Sequence, residues 1–292
     1  MSTDAKMQDL HVHTHLSDGL SSPAEVVRAA AALGIARLAI TDHDCLDAHL
    51  DPEAKGAALA LGIELVTGLE LDCTHQGKEL EVLGYGFNPE DEALGRRLRQ
   101  VQTDRRRRFA FLCEGMAARG EPVRPEGILA NATLVPIKVH LYRALAAAGR
   151  TFPGGYHEFK DCLATLGPEP MICKPTLDEA VALIRGAGGR AVLAHPLYFT
   201  RHTPVEELVS AAAAAGCEGV ELIYPYTFGE KGLAEKETRE GLAALREALS
   251  HAFPEDCLCT SGSDTHDLAE WPSRLAILYP GSPLPPSGLL FS

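Results

Sequence analysis

The chain has 292 residues and a formal net charge of −13, from 27 Lys plus Arg against 40 Asp plus Glu. A hydrophobic fraction of 46% with 23% charged residues is that of a folded globular chain and excludes wholesale disorder. No stretch of 18 apolar residues marks a membrane span, and the acidic balance argues against wrapping a long nucleic acid. The N-terminal MSTDAKMQDL has no apolar export segment, so a cytoplasmic location is expected. The eight cysteines are scattered without a CxxC pair and read as reduced thiols.

In chain order, a strand is expected at Gln8–His13. A helix follows over Pro23–Leu33, with Ser21 or Ser22 as N-cap, Pro23 in the first turn and Gly34 closing it. A strand reads at Ala36–Thr41, a helix at Pro52–Leu61 ending on Gly62, and strands at Glu64–Thr67 and Glu79–Gly84. Residues 90–171 break the rhythm, with long helices at Leu94–Arg119 and Lys138–Ala148 and frequent Pro and Gly between them. Alternation resumes with a helix at Leu177–Gly186 and a strand at Arg190–Ala194. A helix at Val205–Ala215, a strand at Gly219–Ile223, a helix at Gly232–Leu249 and a strand at Leu258–Thr260 complete it. Strands alternating with helices over short connections predict an α/β fold with a parallel sheet, open or closed into a barrel. The stretch from Pro280 reads as loosely ordered.

Five segments bring ionisable groups to strand ends: Asp9-Leu10-His11-Val12-His13 with Asp18 following, Thr41-Asp42-His43-Asp44, Gly68-Leu69-Glu70, Ala194-His195-Pro196 and Ser263-Asp264-Thr265-His266. On a regular strand Asp9, His11 and His13 share one face and Leu10 and Val12 the other. Each segment taken singly could be an ordinary polar strand end. Five in the same register point to one site, because the carboxyl ends of parallel strands converge. Nitrogen and carboxylate donors without thiolates suit Zn, Mn or Fe(II). Their number exceeds the four donors of one tetrahedral ion, which implies two or three divalent ions.

The ordered series DLHVHTHLSDG, TDHD, GLE, AHP and GSDTH resembles the PHP family, named for polymerase and histidinol phosphatase, over residues 8–88 and 173–267. The resemblance implies a distorted (β/α)7 barrel with a helical insertion and a trinuclear metal site at its carboxyl mouth. Residues 1–89 and 172–292 would form the barrel, and 90–171 a lid or substrate domain. By motif, His11, His13, Glu70 and Asp264 would hold one ion. Glu70 would bridge to a second, shared with His195, and Asp18, His43 and His266 would hold a third. Many relatives carry a histidine where this chain has Glu81. Either Glu81 ligates the second ion, or His75 substitutes, or the site is binuclear; Glu81 is our choice.

The segment from Ile137 to Arg143 resembles a helical motif of the nucleotide-phosphatase branch, with Lys138 where arginine is common. It makes Lys138, His140 and Arg143 candidate substrate contacts. Relatives often carry Gly-Arg-Tyr after AHP; here Leu197-Tyr198-Phe199 follows, and the nearest cation is Arg201, a fourth candidate. The basic run Arg105–Arg108 is expected mainly as a solvated face pairing with local acids, with Arg105 or Arg106 reaching substrate. Asp9 and Asp42 are expected to support ligand imidazoles. His15, His49, His157, His202 and His251 are placed at the surface or behind the ligands.

The resulting expectation is phosphoester hydrolysis by a metal-bridging water, with proton transfer by His43 or His195. Two or three divalent ions would outweigh the nearby carboxylates and leave a positive pocket in an acidic protein. The expected partner is a small phosphorylated molecule: a nucleoside 3′,5′-bisphosphate or the 5′ end of a short oligonucleotide, with a histidinol-phosphate-like metabolite as the alternative. A catalytically weak metal-binding module is the reading from another class. A related amide hydrolase is disfavoured because no strand-end lysine is available to bridge ions.

Overall fold

The computed structural model describes residues 7–130, 133–229 and 232–280. Seven strands form one sheet in sequential order: β1 (Met7–Val12), β2 (Ile35–Ile40), β3 (Glu64–His75), β4 (Lys78–Tyr85), β5 (Arg190–Leu193), β6 (Gly219–Ile223) and β7 (Leu258–Ser261). Parallel bonding past the strand ends joins the two edges. The His13 amide donates to the Thr265 carbonyl at 2.9 Å and the Asp264 amide to the His11 carbonyl at 2.8 Å. The sheet therefore closes at the rim where His11, His13 and Asp264 sit, as a distorted α/β barrel.

Helices α1 (Pro23–Ala32) and α2 (Pro52–Leu61) connect the first three strands. Each starts where its sequence dictates. Ser22 and Glu25 cap α1 reciprocally, Asp51 caps α2, and a proline opens both. Gly62 closes α2 at φ 69°, a left-handed conformation that a Cβ disfavours. The helices α7 (Leu177–Gly186), α8 (Val205–Ala215) and α9 (Glu235–Ala252) flank β5, β6 and β7. Leu177, Ile184, Val209 and Leu245 bury their apolar faces against the sheet in one extended core.

Between β4 and α7 lie α3 (Glu92–Ala117), α4 (Pro125–Leu129), α5 (Lys138–Ala147) and α6 (Gly155–Ala164). Helix α3 belongs to two cores. Leu94 and Leu98 pack into the barrel core, while Phe109, Leu112 and Met116 join Leu141, Leu145, Phe159 and Leu163 in a separate one. One continuous helix thus ties the added helices to the barrel.

Three expectations are corrected. The sheet is not wholly parallel: β4 runs antiparallel to both β3 and β5. The link from β3 to β4 is Gln76–Gly77, with φ of 50° and 77°. A two-residue turn of that kind makes a hairpin and leaves no room for a crossover helix. Strand β3 also extends to His75, so Glu70 lies mid-strand instead of at its end. Finally, the side chains of β1 do not alternate regularly. The β1–β2 register slips between Asp9 and Val12. Leu10 belongs to one buried cluster with Ala39, Leu83, Val192 and Ala194, whereas Val12 belongs to another with Val26 and Val27 of α1. Asp9 turns to α10 (Trp271–Leu278), a helix not anticipated from sequence, and accepts from the Trp271 indole at 2.7 Å. A bulge places an extra residue and flips the face beyond it. The helices α4 and α6 were likewise not anticipated, and the stretch beyond Pro280 lies outside the described residues. No described helix is long and apolar enough to cross a membrane.

Candidate metal centre

The rim gathers side chains from every part of the barrel. His11 and His13 come from β1 and the residue after it, and Asp18 from the following loop. His43 follows β2, Glu70 lies on β3, Glu81 on β4, His195 after β5, and Asp264 and His266 after β7. Four donor atoms form a tight group. Nε2 of His11 and Nε2 of His13 are 3.1 Å apart, and each lies 3.2 Å from Glu70 Oε2. Asp264 Oδ1 lies 3.5 Å and 3.0 Å from the same two nitrogens. The edge of a tetrahedron around an ion with ligands at about 2.05 Å is about 3.3 Å. His11, His13 and Glu70 lie at spacings close to that edge and could hold a divalent cation, with Asp264 beside the two imidazoles.

Glu70 faces two ways. Its Oε2 serves that first group, while its Oε1 lies 2.9 Å from Nε2 of His195. Oε2 of Glu81 lies 3.4 Å from the same His195 nitrogen. His43, Glu70 and Glu81 bring donor atoms within 4.8 Å of one another, and so do His13, Asp18, His43 and His266. His266 Nε2 is 3.1 Å from Asp18 Oδ2. All nine expected ligand positions therefore converge. His75 does not: it ends β3 beside Lys78, Glu79 and His202 around a small separate cavity.

Burial and charge oppose each other here. Burial disfavours the charged form of His11, yet Glu221, Glu70 and Asp264 outweigh it and raise its pKa well above the usual imidazole value. The same contest holds His13 near 9, through Asp264 and Glu70, and His195 near 9, through Glu70. Glu70 and Asp264 are desolvated but kept ionised, well below the ordinary carboxylate range, by the surrounding histidines. Glu81 differs: burial, then the Glu70 charge, push it up to about 7. The cluster is a cage of acceptors that takes up positive charge. The Nδ1 atoms of His13, His43 and His195 are buried with no hydrogen-bond partner among the described residues.

The supporting groups differ from those expected. Asp9 and Asp42 touch no ligand imidazole. Asp9 holds the Ser263 amide at 2.9 Å, and Asp42 holds the Thr14 amide at 2.7 Å and the Ser17 hydroxyl at 2.6 Å. They fix the loops carrying Asp264 and Asp18, because the bulge in β1 directs Asp9 away from the rings and the Thr14–Ser17 turn encloses Asp42. The imidazole partner is Glu221 on β6, whose Oε1 lies 3.0 Å from His11 Nδ1. Its Oε2 accepts from the His195 amide at 3.0 Å. The only signal for Glu221 was a carboxylate inside the apolar strand GVELI. Tyr224 donates to Asp264 Oδ2 at 2.5 Å. His49 is not peripheral but buried, its Nε2 2.8 Å from the Ile40 carbonyl and 2.9 Å from the Gly68 amide.

The candidate substrate contacts separate into two groups. His140 and Arg143 line one cavity of about 430 Å³ together with His15, Gly19, Leu20 and Thr133. Arg143 Nη1 donates to the Asp18 carbonyl at 2.7 Å, so this cavity adjoins the metal centre. Lys138 pairs with Glu169 at 2.6 Å, and Arg201 is exposed in a turn after His195; neither lines the cavity. The basic run of α3 is committed within the protein. Arg105 is buried on Asp44 and Asp72, Arg106 reaches the Leu134 carbonyl, Arg107 pairs with Asp104, and Arg108 with Glu169.

Residues 9–131 match the PHP domain family model. The chain is 32% identical over 220 residues to the 5′-3′ exoribonuclease of Haemophilus influenzae, covering 74% of this chain and 79% of that one. It is 30% identical over 270 residues to the 3′,5′-nucleoside bisphosphate phosphatase of Chromobacterium violaceum, covering 88% and 86% of the two chains. A solved protein of Bifidobacterium adolescentis, assigned as a metal-dependent phosphoesterase, superposes with a TM-score of 0.72 at 26% identity, covering 91% of this chain and 89% of that one.

Proposed function

The chain belongs to the PHP family, a metal-dependent phosphoesterase by its relatives and its fold, and from that premise we propose that it hydrolyses phosphate monoesters of nucleoside 3′,5′-bisphosphates or of short oligonucleotide 5′ ends. The observation that carries the reading is the two-sided Glu70, with Oε2 3.2 Å from His11 and His13 and Oε1 2.9 Å from His195. A carboxylate so placed would bridge two cations. His11, His13, Glu70 and Asp264 would hold one ion, Glu70, His195 and Glu81 a second, and Asp18, His43 and His266 a third. A donor set of imidazole and carboxylate suits Mn, Fe or Zn. Bound divalent ions supply a hydroxide nucleophile at neutral pH and neutralise charge on the phosphoryl oxygens.

The chain's own residues do the rest. Tyr224 fixes the Asp264 carboxylate. Glu221 keeps the proton of His11 on Nδ1, so that Nε2 offers its lone pair. His43 or His195 would assist proton transfer. Residues 90–171 would form the lid, and the cavity beside Asp18, with His140 and Arg143 on its wall, would take the nucleoside or second phosphate. Lys138 would join them on leaving Glu169, and Arg201 would approach from the turn that follows His195.

The test is an assay of the purified protein with Mn against a nucleoside 3′,5′-bisphosphate, a 5′-phosphorylated oligonucleotide and histidinol phosphate. Phosphate release from either of the first two is expected. Release from histidinol phosphate alone would overturn the substrate assignment, and metal binding with no turnover of any ester would reduce the chain to a binding module.

A further inference from the structure

His43 is gripped from outside the barrel. Its Nδ1 makes ion-pair contacts with Oδ1 of Asp72 at 3.2 Å and Oε2 of Glu70 at 3.3 Å, neither in hydrogen-bond geometry, and the next residue in the chain is Asp44. Asp44 is held at φ 46°, in the left-handed region that disfavours a side chain. Both carboxylates are clamped by a single guanidinium. Arg105 donates from Nε and Nη2 to Asp44 Oδ2 at 2.8 and 2.6 Å, and from Nη2 to Asp72 Oδ2 at 2.6 Å. Asp44 also accepts from the Asp72 amide at 3.2 Å. Three residues before Arg105, on the same face of α3, Gln102 donates to the Asp44 carbonyl at 2.8 Å. Lys174, where the chain returns from the added helices, reaches Asp72 Oδ2 at 3.0 Å and Glu79 at 2.7 Å.

The four groups at the centre are nearly sealed: Asp44, Asp72 and Arg105 are 0%, 7% and 6% exposed, and Lys174 is partly covered. Such a network is costly to desolvate and is weak evidence for a stabilising role. Its geometry states another. Arg105 fixes the backbone of His43 through Asp44 and its ring through Asp72. Gln102 and Arg105 both sit on α3, the helix that also builds the core of the added helices.

We propose that Arg105 is the positioning residue through which helix α3 sets His43 in the metal centre, with Asp72 as the intermediary whose carboxylate stands against the His43 ring. This rests on the reading that His43 holds an ion. Arginine is required by the shape of the contact, because its fork reaches two carboxylates at once and the single ammonium of lysine does not. The added helices are then more than a cover. Displacing α3 loosens His43, so the ion it holds is bound tightly only when the helix is seated.

The full-length protein, stripped with a chelator, is titrated with Mn, and the number and affinity of the ions are measured by calorimetry and by the paramagnetic signal of free Mn. Asp72→Asn should weaken one ion by about 10–100-fold, the usual effect of losing a partner behind a ligand, and leave the others unchanged. Arg105→Met should affect the same ion, Arg105→Lys should restore part of the loss, and the double variant should lose no more than the worse single one. A merely structural role would lower the melting temperature and leave every ion affinity as it was; that result would overturn the inference. Should Arg105→Met not fold, as judged by circular dichroism, Asp72→Asn and Gln102→Leu carry the test, and unchanged affinities in both would overturn it equally. A wild-type chain that binds no Mn would overturn both this inference and the proposed function.

Discussion

Nδ1 of His11 lies 3.0 Å from Oε1 of Glu221, a residue 210 positions away in the chain. Because the other carboxylate oxygen accepts from the His195 amide, one buried side chain sets the orientation of two residues on opposite sides of Glu70. Gln in its place can present an amide N–H to either partner, and neither needs one. Glu221→Gln is expected to weaken Mn binding by about 10–100-fold, measured by competition with a chelating dye. An affinity equal to that of wild type would remove Glu221 from the site.

Glu81 is expected to hold the second ion as a carboxylate. Its Oε2 stands 3.4 Å from His195 Nε2, and it shares a donor cluster with His43 and Glu70. Glu81→Ala should lose one bound ion by elemental analysis, whereas Glu81→His should keep it and shift the preference from Mn toward Zn. Retention of every ion in the alanine variant would show that Glu81 is no ligand.

The chelated protein should be less stable in mild alkali than at neutral pH. Burial opposes the charged forms, but Glu70 and Asp264 hold His13 near 9 and Glu70 holds His195 near 9, both above the 6.5 of a free imidazole. The folded state therefore binds more protons than the unfolded one between those values. Their stabilisation is complete below about 6.5 and disappears as pH rises through about 9. The melting temperature of chelated protein should fall across that window. With saturating Mn the slope should flatten or reverse, since ligation requires the deprotonated ring and releases protons. Parallel slopes with and without Mn would count against these histidines as ligands.

Trp271 is the single tryptophan and is completely buried, its indole donating to Asp9 Oδ2 at 2.7 Å. Trp271→Phe leaves that buried carboxylate short of a donor, at a cost of about 1–3 kcal/mol. Urea unfolding followed by circular dichroism should show it. Asp9 is already pushed up to about 6 by burial, and the Trp271 bond is one of the contacts holding it down. The deficit should therefore be greater at pH 8, where Asp9 must be ionised, than at pH 5. A deficit independent of pH would mean that lost packing, and not the Asp9 bond, sets the cost.

The sequence by itself determined which donors meet. A strand that ends in His, Asp or Glu delivers that group to the rim whenever the strands close into a sheet, so His11, His13, His43, His195 and Asp264 were legible without coordinates, whereas Glu70 and Glu81 lie within β3 and β4. Helix boundaries such as Pro52–Leu61 and Leu177–Gly186 were equally legible, because caps, prolines and glycines act within a few residues. Only the tertiary structure decided what stands behind the donors. The slip in β1 turned Asp9 from the rings to Trp271, and the two-residue hairpin reversed β4. Glu221 meets His11 across 210 positions and Arg105 meets Asp44 across 61. Local pattern encodes the direction of a strand end; it does not encode which distant side chain fills the space behind it. That choice is made by burial, where an unpaired charge is too costly to leave alone.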